Sequence, residues 1–290
     1  MNKQLVIEAP AKVNLTLDVL GKRTDGYHEL ETVMHQISLR DIIYLQSGGH
    51  GIKVSSDSLS IPHNEENLAF RAAKLIFGKF SLKEGLQIFI EKNIPVGAGL
   101  AGGSTDAAAV IIGLNKMYEL NLEQQELLDL GLQIGSDVPF CLQGGTALAT
   151  GRGETLTMLA TGPQLEIVLV KPDFELSTAE VYRDFRLAEV IDRPDNGAFL
   201  EAWRKYDMIG LAAQMKNVLE TVSLKKCPEI GHIKMRLAEL GALQALMSGS
   251  GSSVVGLFTD RNKARQAWEI IREQYRESYL VSSFNRGDCK

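Results

Sequence analysis

A strand, a glycine-rich loop and a helix start follow one another between residues 86 and 112, and this run constrains the fold more than any other stretch. Leu86, Ile88 and Ile90 recur with the period of two that marks a strand. Then Ile94-Pro-Val-Gly-Ala-Gly-Leu-Ala-Gly-Gly-Ser-Thr-Asp106 places Gly97, Gly99, Gly102 and Gly103 within seven residues. Ala107-Ala-Ala-Val-Ile-Ile112 opens a helix. Glycines let backbone N–H groups approach a ligand without side-chain hindrance. The unpaired N–H groups of a helix's first turn, with its dipole, favour an anion. A phosphate is the natural occupant.

Taken alone, the loop has three readings: phosphate cradle, dinucleotide loop or structural turn, with the phosphate cradle preferred. Gly97-Ala-Gly-Leu-Ala-Gly102 matches the G-x-G-x-x-G fingerprint. A Rossmann domain would carry that loop in its first βα turn, whereas here residues with motifs of their own come first. A P-loop is rejected, because Gly103 stands where its lysine belongs.

Composition narrows the class. A chain of 290 residues suggests about two domains, with a boundary expected near 155–163, so that 1–158 and 159–290 form separate domains. It is 44% hydrophobic and 23% charged, as in ordinary globular proteins. No apolar run approaches the roughly 20 residues that span a bilayer, and the first residues lack the apolar core of a signal peptide. Cys141, Cys227 and Cys289 are scattered and odd in number, which points to reduced thiols in a cytoplasmic protein. No CxxC or HxxxH spacing offers a structural zinc site. A net charge of −5 gives no support for nucleic-acid binding. An anionic small-molecule substrate would need locally placed cations. Nothing in the sequence sets an oligomeric state or names a metal ligand.

Along the chain, residues 5–7 are apolar and Pro10 breaks the run. Val13, Leu15, Leu17 and Val19 then alternate with Lys12, Asn14, Thr16 and Asp18, the pattern of a half-buried strand. Lys12 and Asn14 share its polar face, which is either solvated or functional. Asp25-Gly26 reads as a turn. Tyr27 and His28 just beyond it either stack on a base and bond its edge or merely sit at the surface. Strands are expected at 32–37, 42–45 and 52–55. Asn67 reads as the N-cap of a helix, and Asn121 as the cap of another running to about 133. Asp137, in Ile134-Gly-Ser-Asp-Val-Pro-Phe140, is poised either as a base or as a turn residue. Arg152 is a phosphate partner or a surface turn residue. Strands are expected at 167–170, 243–247, 254–258 and 279–282. Helices are expected near 197–205, 208–220, 228–240 and 261–275, and one opening at Ser177 and carrying Tyr182. Ser248-Gly-Ser-Gly-Ser-Ser253 either packs on a nucleotide or forms a flexible hairpin.

A glycine-rich anion loop without the P-loop lysine, a lysine elsewhere and a poised aspartate suit phosphoryl transfer. That chemistry needs charge neutralisation, alignment and an acceptor for the hydroxyl proton. Lys12 would stabilise the charge and Asp137 would take the proton.

The chain resembles the GHMP kinase superfamily. Ala9-Pro-Ala-Lys-Val-Asn-Leu-Thr-Leu17 is similar to its first motif, Pro95-Val-Gly-Ala-Gly-Leu-Ala-Gly-Gly-Ser-Thr-Asp-Ala-Ala108 to its phosphate loop, and Met247-Ser-Gly-Ser-Gly-Ser-Ser253 to its third. Arg23-Thr-Asp-Gly-Tyr-His-Glu29 and Ile134-Gly-Ser-Asp-Val-Pro-Phe140 look like the branch acting on 4-diphosphocytidyl-2-C-methyl-D-erythritol. The resemblance covers essentially the whole chain. It implies an α+β, two-domain GHMP kinase fold: an N-terminal ribosomal-protein-S5-like domain and a C-terminal ferredoxin-like domain. It implies ATP-dependent phosphorylation of that substrate's 2-hydroxyl, in the non-mevalonate route to isoprenoid precursors, with Mg²⁺ accompanying ATP. Asp137 would be the base and Lys12 its charged partner. Asn14 and Thr178 would position the methylerythritol end, and Tyr27, His28 and Tyr182 would hold the cytosine. Pro95 and Gly97, Ala98, Gly99, Leu100, Ala101, Gly102, Gly103, Ser104, Thr105 and Asp106 would wrap the ATP phosphates, with Asn67 and Lys92 nearer the adenine. Rivals are a mevalonate- or homoserine-type kinase, a dinucleotide-dependent oxidoreductase and a non-catalytic nucleotide binder. Two departures from the family pattern are Thr105, where serine is expected, and Ser252-Ser253, where Pro-Thr is common. The second predicts a looser third loop.

Overall fold

A computed structural model describes residues 3–284; Cys289 lies outside them. The chain divides into two compact units that are discontinuous in sequence. The first comprises Met1–Ala11, Leu39–Val96 and Ala101–Gly144; the second comprises Lys12–Ser38, Gly97–Leu100 and Gly145–Lys290. Two long paired strands, β1 (Gln4–Lys22) and β2 (His28–Ser47), contribute to both. The sequence reads β1 as an apolar stretch, a break at Pro10 and then a strand, and β2 as two shorter strands. Pro10 does not interrupt β1, which pairs among the named strands with β2 alone and tolerates a residue without an N–H.

In the first unit the far part of β2 pairs antiparallel with β4 (Leu86–Glu91), and β3 (Ile52–Ser56) runs parallel to β4. Helices α1 (Leu68–Lys79), α2 (Gly102–Met117), α3 (Gln124–Ile134) and α4 (Val138–Gln143) build its core with Ile43, Leu45, Ile88 and Ile90. Ala69, Ala72 and Ala73 of α1 and Ala107, Ala108 and Ala109 of α2 are buried, and the two helices pack together. Small side chains allow such helices to approach closely. Fully burying each of the larger aliphatic side chains contributes about 1.5–3 kcal/mol.

Two local expectations for this unit change. The cap of α3 is Glu123, in a reciprocal capping box with Glu126. Asn121 takes a left-handed φ of 51° and bonds Glu119 O instead. Helix α4 escapes the sequence reading because six residues are too few for a 3.6-residue period; Pro139 suits its first turn, where an N–H lacks an intrahelical acceptor.

In the second unit the near part of β2 pairs with β5 (Thr146–Gly151), which turns back into β6 (Thr155–Met158). A separate antiparallel sheet has the order β10-β7-β9-β8, with β7 at Glu166–Val170, β8 at Gln244–Met247, β9 at Val254–Phe258 and β10 at Ser278–Ser282. Short helices α5 (Thr178–Asp184), α6 (Asn196–Lys205), α7 (Met208–Gln214) and α8 (Glu220–Lys226) precede α9 (Glu229–Glu239); α10 (Arg261–Ile271) follows β9. Helices α9 and α10 pack on the four-stranded sheet, burying Ile230, Ile233, Leu237, Ala264, Ala267 and Ile271 with Val168, Val170 and Phe258. Four antiparallel strands carrying two helices give the ferredoxin-like arrangement that the resemblance implies.

The single helix expected over 208–220 is broken between α7 and α8. Leu17 N donates to Lys216 O at 2.8 Å and Val218 N to Leu17 O at 3.0 Å, so this stretch runs alongside β1. The Asn217 amide donates to Met247 O and Gly249 O, both at 2.7 Å. Long-range pairing overrides the local apolar period.

His35 shows how this unit treats a buried polar group. Its ring nitrogens lie 2.7 Å from Thr146 Oγ1 and 2.9 Å from Ser283 Oγ, and its ring meets Trp203 edge-on. Burial lowers its pKa to about 4 from the ordinary 6.5. The unfolded chain therefore takes up this proton first as pH falls. The native advantage is complete above pH 6.5 and is withdrawn from there through pH 4, by about 1.4 kcal/mol per pH unit. Denaturant unfolding of wild type and His35→Gln at pH 7, 5.5 and 4.5 checks this. The expected outcome is a flatter pH dependence in the variant; equal slopes would remove His35 as the cause.

Candidate active site

The glycine-rich loop is held by its carbonyl groups. Within the second unit, Lys12 N donates to Leu100 O at 3.1 Å, Ser253 N to Ala98 O at 3.3 Å and Ser248 Oγ to Gly99 O at 3.1 Å. Gly97 and Gly99 have left-handed φ of 65° and 74°. A Cβ on Gly99 would lie 2.3 Å from Ser248 O, so glycine is required there for space as well as conformation. Ser248 is buried and also accepts from Asn14 N at 3.2 Å.

The continuation of the loop belongs to the first unit and starts α2. Ala101 is the N-cap residue, at a left-handed φ of 57° and without a side-chain capping bond. The first N–H groups of any helix lack intrahelical acceptors, and here the half-buried Gly102 and Ser104 and the exposed Gly103 carry them. This is the geometry that suits a phosphate. Thr105 is buried and donates its hydroxyl to Pro10 O at 2.8 Å, so this departure from serine keeps a working hydroxyl.

Beneath that helix start lies a buried ionic triad. Lys92 Nζ contacts Asp106 Oδ2 at 3.0 Å and bonds an oxygen of Asp41. Asp41 Oδ1 also accepts from Asn93 N at 2.6 Å and Ile94 N at 2.7 Å, fixing the residues that lead to buried Pro95. Burial works to lower the Lys92 ammonium, but Asp106 and then Asp41 overcome it and hold it above its ordinary value. Burial raises the Asp106 carboxyl, against the pull of Lys92 and with the help of Asp41. Asn67 caps α1, accepting from Ala69 N at 2.9 Å and donating to Pro62 O at 2.8 Å.

The second unit gathers the remaining polar and aromatic candidates. Lys12 and Asn14 are buried on β1, not solvated, and Lys12 Nζ donates to Asn14 Oδ1 at 2.7 Å. His28 at the start of β2 meets Tyr182 of α5 with ring centroids 5.3 Å apart and Phe185 edge-on at 6.3 Å. Burial, and then the charge of Lys22, hold His28 below its ordinary pKa. Tyr27 is 57% exposed, with the Arg152 guanidinium 4.9 Å above its ring. Arg152 is thus a stacking partner. Thr178 Oγ1 lies 2.7 Å from Ser250 Oγ, at the third glycine- and serine-rich loop.

That third loop is not a flexible hairpin. Ser248, Ser252 and Ser253 are fully buried, Ser252 donates its hydroxyl to Phe174 O, and the Asn217 amide holds the carbonyls of Met247 and Gly249. The looseness expected from Ser252-Ser253 is offset by these bonds.

Asp137 lies in the first unit, half-buried at the N-cap position of α4, and its side chain makes no capping bond to that helix. Lys12 belongs to the second unit. Sequence reasoning missed Thr32, Asp41, Asn196 and Asn217, all buried polar residues bonded to site elements or their supports. The only available signal at Thr32 and Asp41 was a polar residue at the start of an expected strand.

Known proteins resemble this chain over its length. The family model described as "GHMP kinases N terminal domain" matches residues 67–145, and "GHMP kinases C terminal" matches residues 199–277. The 4-diphosphocytidyl-2-C-methyl-D-erythritol kinase of Syntrophomonas wolfei is 59% identical over 98% of this chain and 100% of its own. A crystal structure of 4-(cytidine 5'-diphospho)-2C-methyl-D-erythritol kinase superposes with a TM-score of 0.84 at 35% identity, covering 97% of this chain and 100% of that one. A homoserine kinase from Cytophaga hutchinsonii shares the fold, at a TM-score of 0.78 and 18% identity, covering 97% of this chain and 94% of that one.

Gly99→Ala combines a left-handed φ with a backbone collision, and it should weaken ATP binding ~10- to 100-fold while leaving the chain folded. Nucleotide titration with a melting curve on the same sample measures both. Unchanged ATP affinity would remove the loop from the nucleotide site.

Proposed function

The chain belongs to the 4-diphosphocytidyl-2-C-methyl-D-erythritol kinase family of GHMP kinases, and from that membership we propose how its residues divide the work. The reaction is phosphoryl transfer from ATP to an alcohol, the 2-hydroxyl of 4-diphosphocytidyl-2-C-methyl-D-erythritol, in the non-mevalonate route to isoprenoid precursors. Such transfer asks little covalent chemistry of the protein and depends on alignment and charge stabilisation.

Asp137 takes the proton of the attacking hydroxyl, and Lys12 stabilises the negative charge of the transferring group. Gly97, Ala98, Gly99, Leu100, Ala101, Gly102, Gly103 and Ser104 wrap the ATP phosphates, with Pro95 setting their entry. Thr105, Asp106 and Lys92 support that wrap from below, and Asn67 and Lys92 mark the adenine side. Asn14 and Thr178 position the methylerythritol end. Tyr27, His28 and Tyr182 hold the cytosine. The observation that supports this reading most is the meeting of His28 and Tyr182, 154 positions apart (182 − 28), with ring centroids at 5.3 Å. Held below its ordinary pKa, a neutral imidazole offers one donor and one acceptor, which suits the edge of a cytosine.

Mg²⁺ would enter with the nucleotide. Among the described residues no three His, Cys, Asp or Glu side chains cluster as a metal cage. When bound, Mg²⁺ would neutralise charge on the phosphates. The proposed domains are 1–158 and 159–290, and the two family matches fall inside them. Among the described residues no helix is long and apolar enough to cross a membrane, and we place the enzyme in the cytoplasm.

Asp137→Asn should cut kcat by ~10²–10⁴-fold with nearly unchanged ATP affinity; undiminished turnover would sink the assignment of the base. Replacing both Tyr27 and Tyr182 by Ala should raise KM for the cytidylated substrate and leave KM for ATP alone. A substrate KM that does not move would make those aromatics structural.

A further inference from the structure

We propose that Thr32 is a positioning residue for Lys12, acting through the side chain of Asn14. The inference rests on the reading of Lys12 as the charged partner in phosphoryl transfer. Lys12, Asn14 and Thr16 lie two residues apart on β1 and thus on one face of the strand. Thr32 lies on β2. All four are buried.

The hydrogen bonds among them have only one consistent direction. Thr32 Oγ1 lies 2.5 Å from the carbonyl of Thr16. A carbonyl accepts only, so the single hydroxyl proton of Thr32 goes there. The Thr32 oxygen can then only accept from Asn14, which must present its NH₂ group at 2.8 Å. That turns Asn14 Oδ1 towards Lys12 Nζ, which donates to it at 2.7 Å. An ammonium has donors and no acceptor, so the chain reads the same way from its other end.

The anchor of this chain is itself fixed. Thr16 Oγ1 accepts from Val33 N at 2.9 Å and donates to Asn196 Oδ1 at 2.6 Å, and the Asn196 amide donates to Glu31 at 2.8 Å. The Asn14 backbone N–H donates to Ser248 Oγ. Asn14 is therefore held at its main chain by Ser248 and at its amide by Thr32. Without the Thr32 hydroxyl the Asn14 NH₂ loses its acceptor, and the amide that receives the ammonium is no longer held at its far end. The position of Lys12 Nζ on Asn14 Oδ1 would then be less sharply set, and a small displacement of a charge that must meet the transferring group is costly to rate.

Thr32→Val keeps the shape and removes the hydroxyl. The expected result is a kcat about tenfold lower with KM for ATP within about twofold of wild type. Thr32→Ser, which keeps the hydroxyl, should recover kcat to within about threefold. If the valine variant is not recovered folded, Thr32→Ala carries the same comparison. The decisive readout is the same change made on Asn14→Ala: Thr32→Val should then cost no further kcat, because the link it acts through is gone. A merely structural threonine would cost as much in that background as alone, and that result would overturn the proposal. So would wild-type kcat in Thr32→Val. Lys12→Met separates the premises. If it loses activity while Thr32→Val does not, the positioning role alone fails. If Lys12→Met turns over normally, the reading of Lys12 fails and this inference falls with it.

Discussion

Asp41 is fully buried, and a buried carboxylate must find its hydrogen bonds inside the protein or give up its charge. It finds them at two consecutive backbone N–H groups, Asn93 and Ile94, and at the Lys92 ammonium. All three donors sit just before the glycine-rich loop. The chain therefore enters Pro95 from a point set by electrostatics, not by loop preference. In the second unit Ser248 does the corresponding work without charge, joining Asn14 N to Gly99 O through one hydroxyl. Removing either group would leave buried polar partners unsatisfied, a cost of about 1–3 kcal/mol per group.

This economy suits an enzyme whose chemistry is alignment. A phosphate loop made of glycines is conformationally free in isolation, and freedom is what a transferase must remove before ATP arrives. The structure removes it by fixing carbonyls: those of Ala98, Gly99 and Leu100 each accept from a protein donor. Side chains proposed to touch the substrate are treated likewise. Lys12 and Asn14 are buried in a strand with their bonds assigned, and Thr178 is tied to Ser250. Thr178 and Tyr27 are exposed, and the Tyr27 ring has Arg152 stacked upon it.

Much of this was legible in the sequence, and what was not has particular causes. The strand–loop–helix run at 86–112 could be read because its signals are local: period two, four glycines, then alanines. The helix caps at Asn67 and Ser177 were readable for the same reason. The polar face of β1 was found, but its burial was not, because alternation cannot tell a solvated face from one covered by polar groups of other elements. Thr32 reads as an ordinary polar residue in a strand and Asp41 as one just before a strand; their partners lie 16 and more positions away in sequence. The stretch after α7 carries the local period of a helix, and its pairing with Leu17 of β1 is invisible to a local window. Ser252-Ser253 was read as looseness, since the loss of a proline is local and the bond from Ser252 to Phe174 O is not.

The most direct test of the account is ADP release, followed with Mg²⁺ and ATP, on 4-diphosphocytidyl-2-C-methyl-D-erythritol beside mevalonate and homoserine. The account predicts turnover with the cytidylated alcohol and none above background with the other two. Turnover with mevalonate or homoserine instead would keep the kinase and discard the cytidine-holding role of Tyr27, His28 and Tyr182. ATP binding without turnover of any of the three would contradict the catalytic reading altogether.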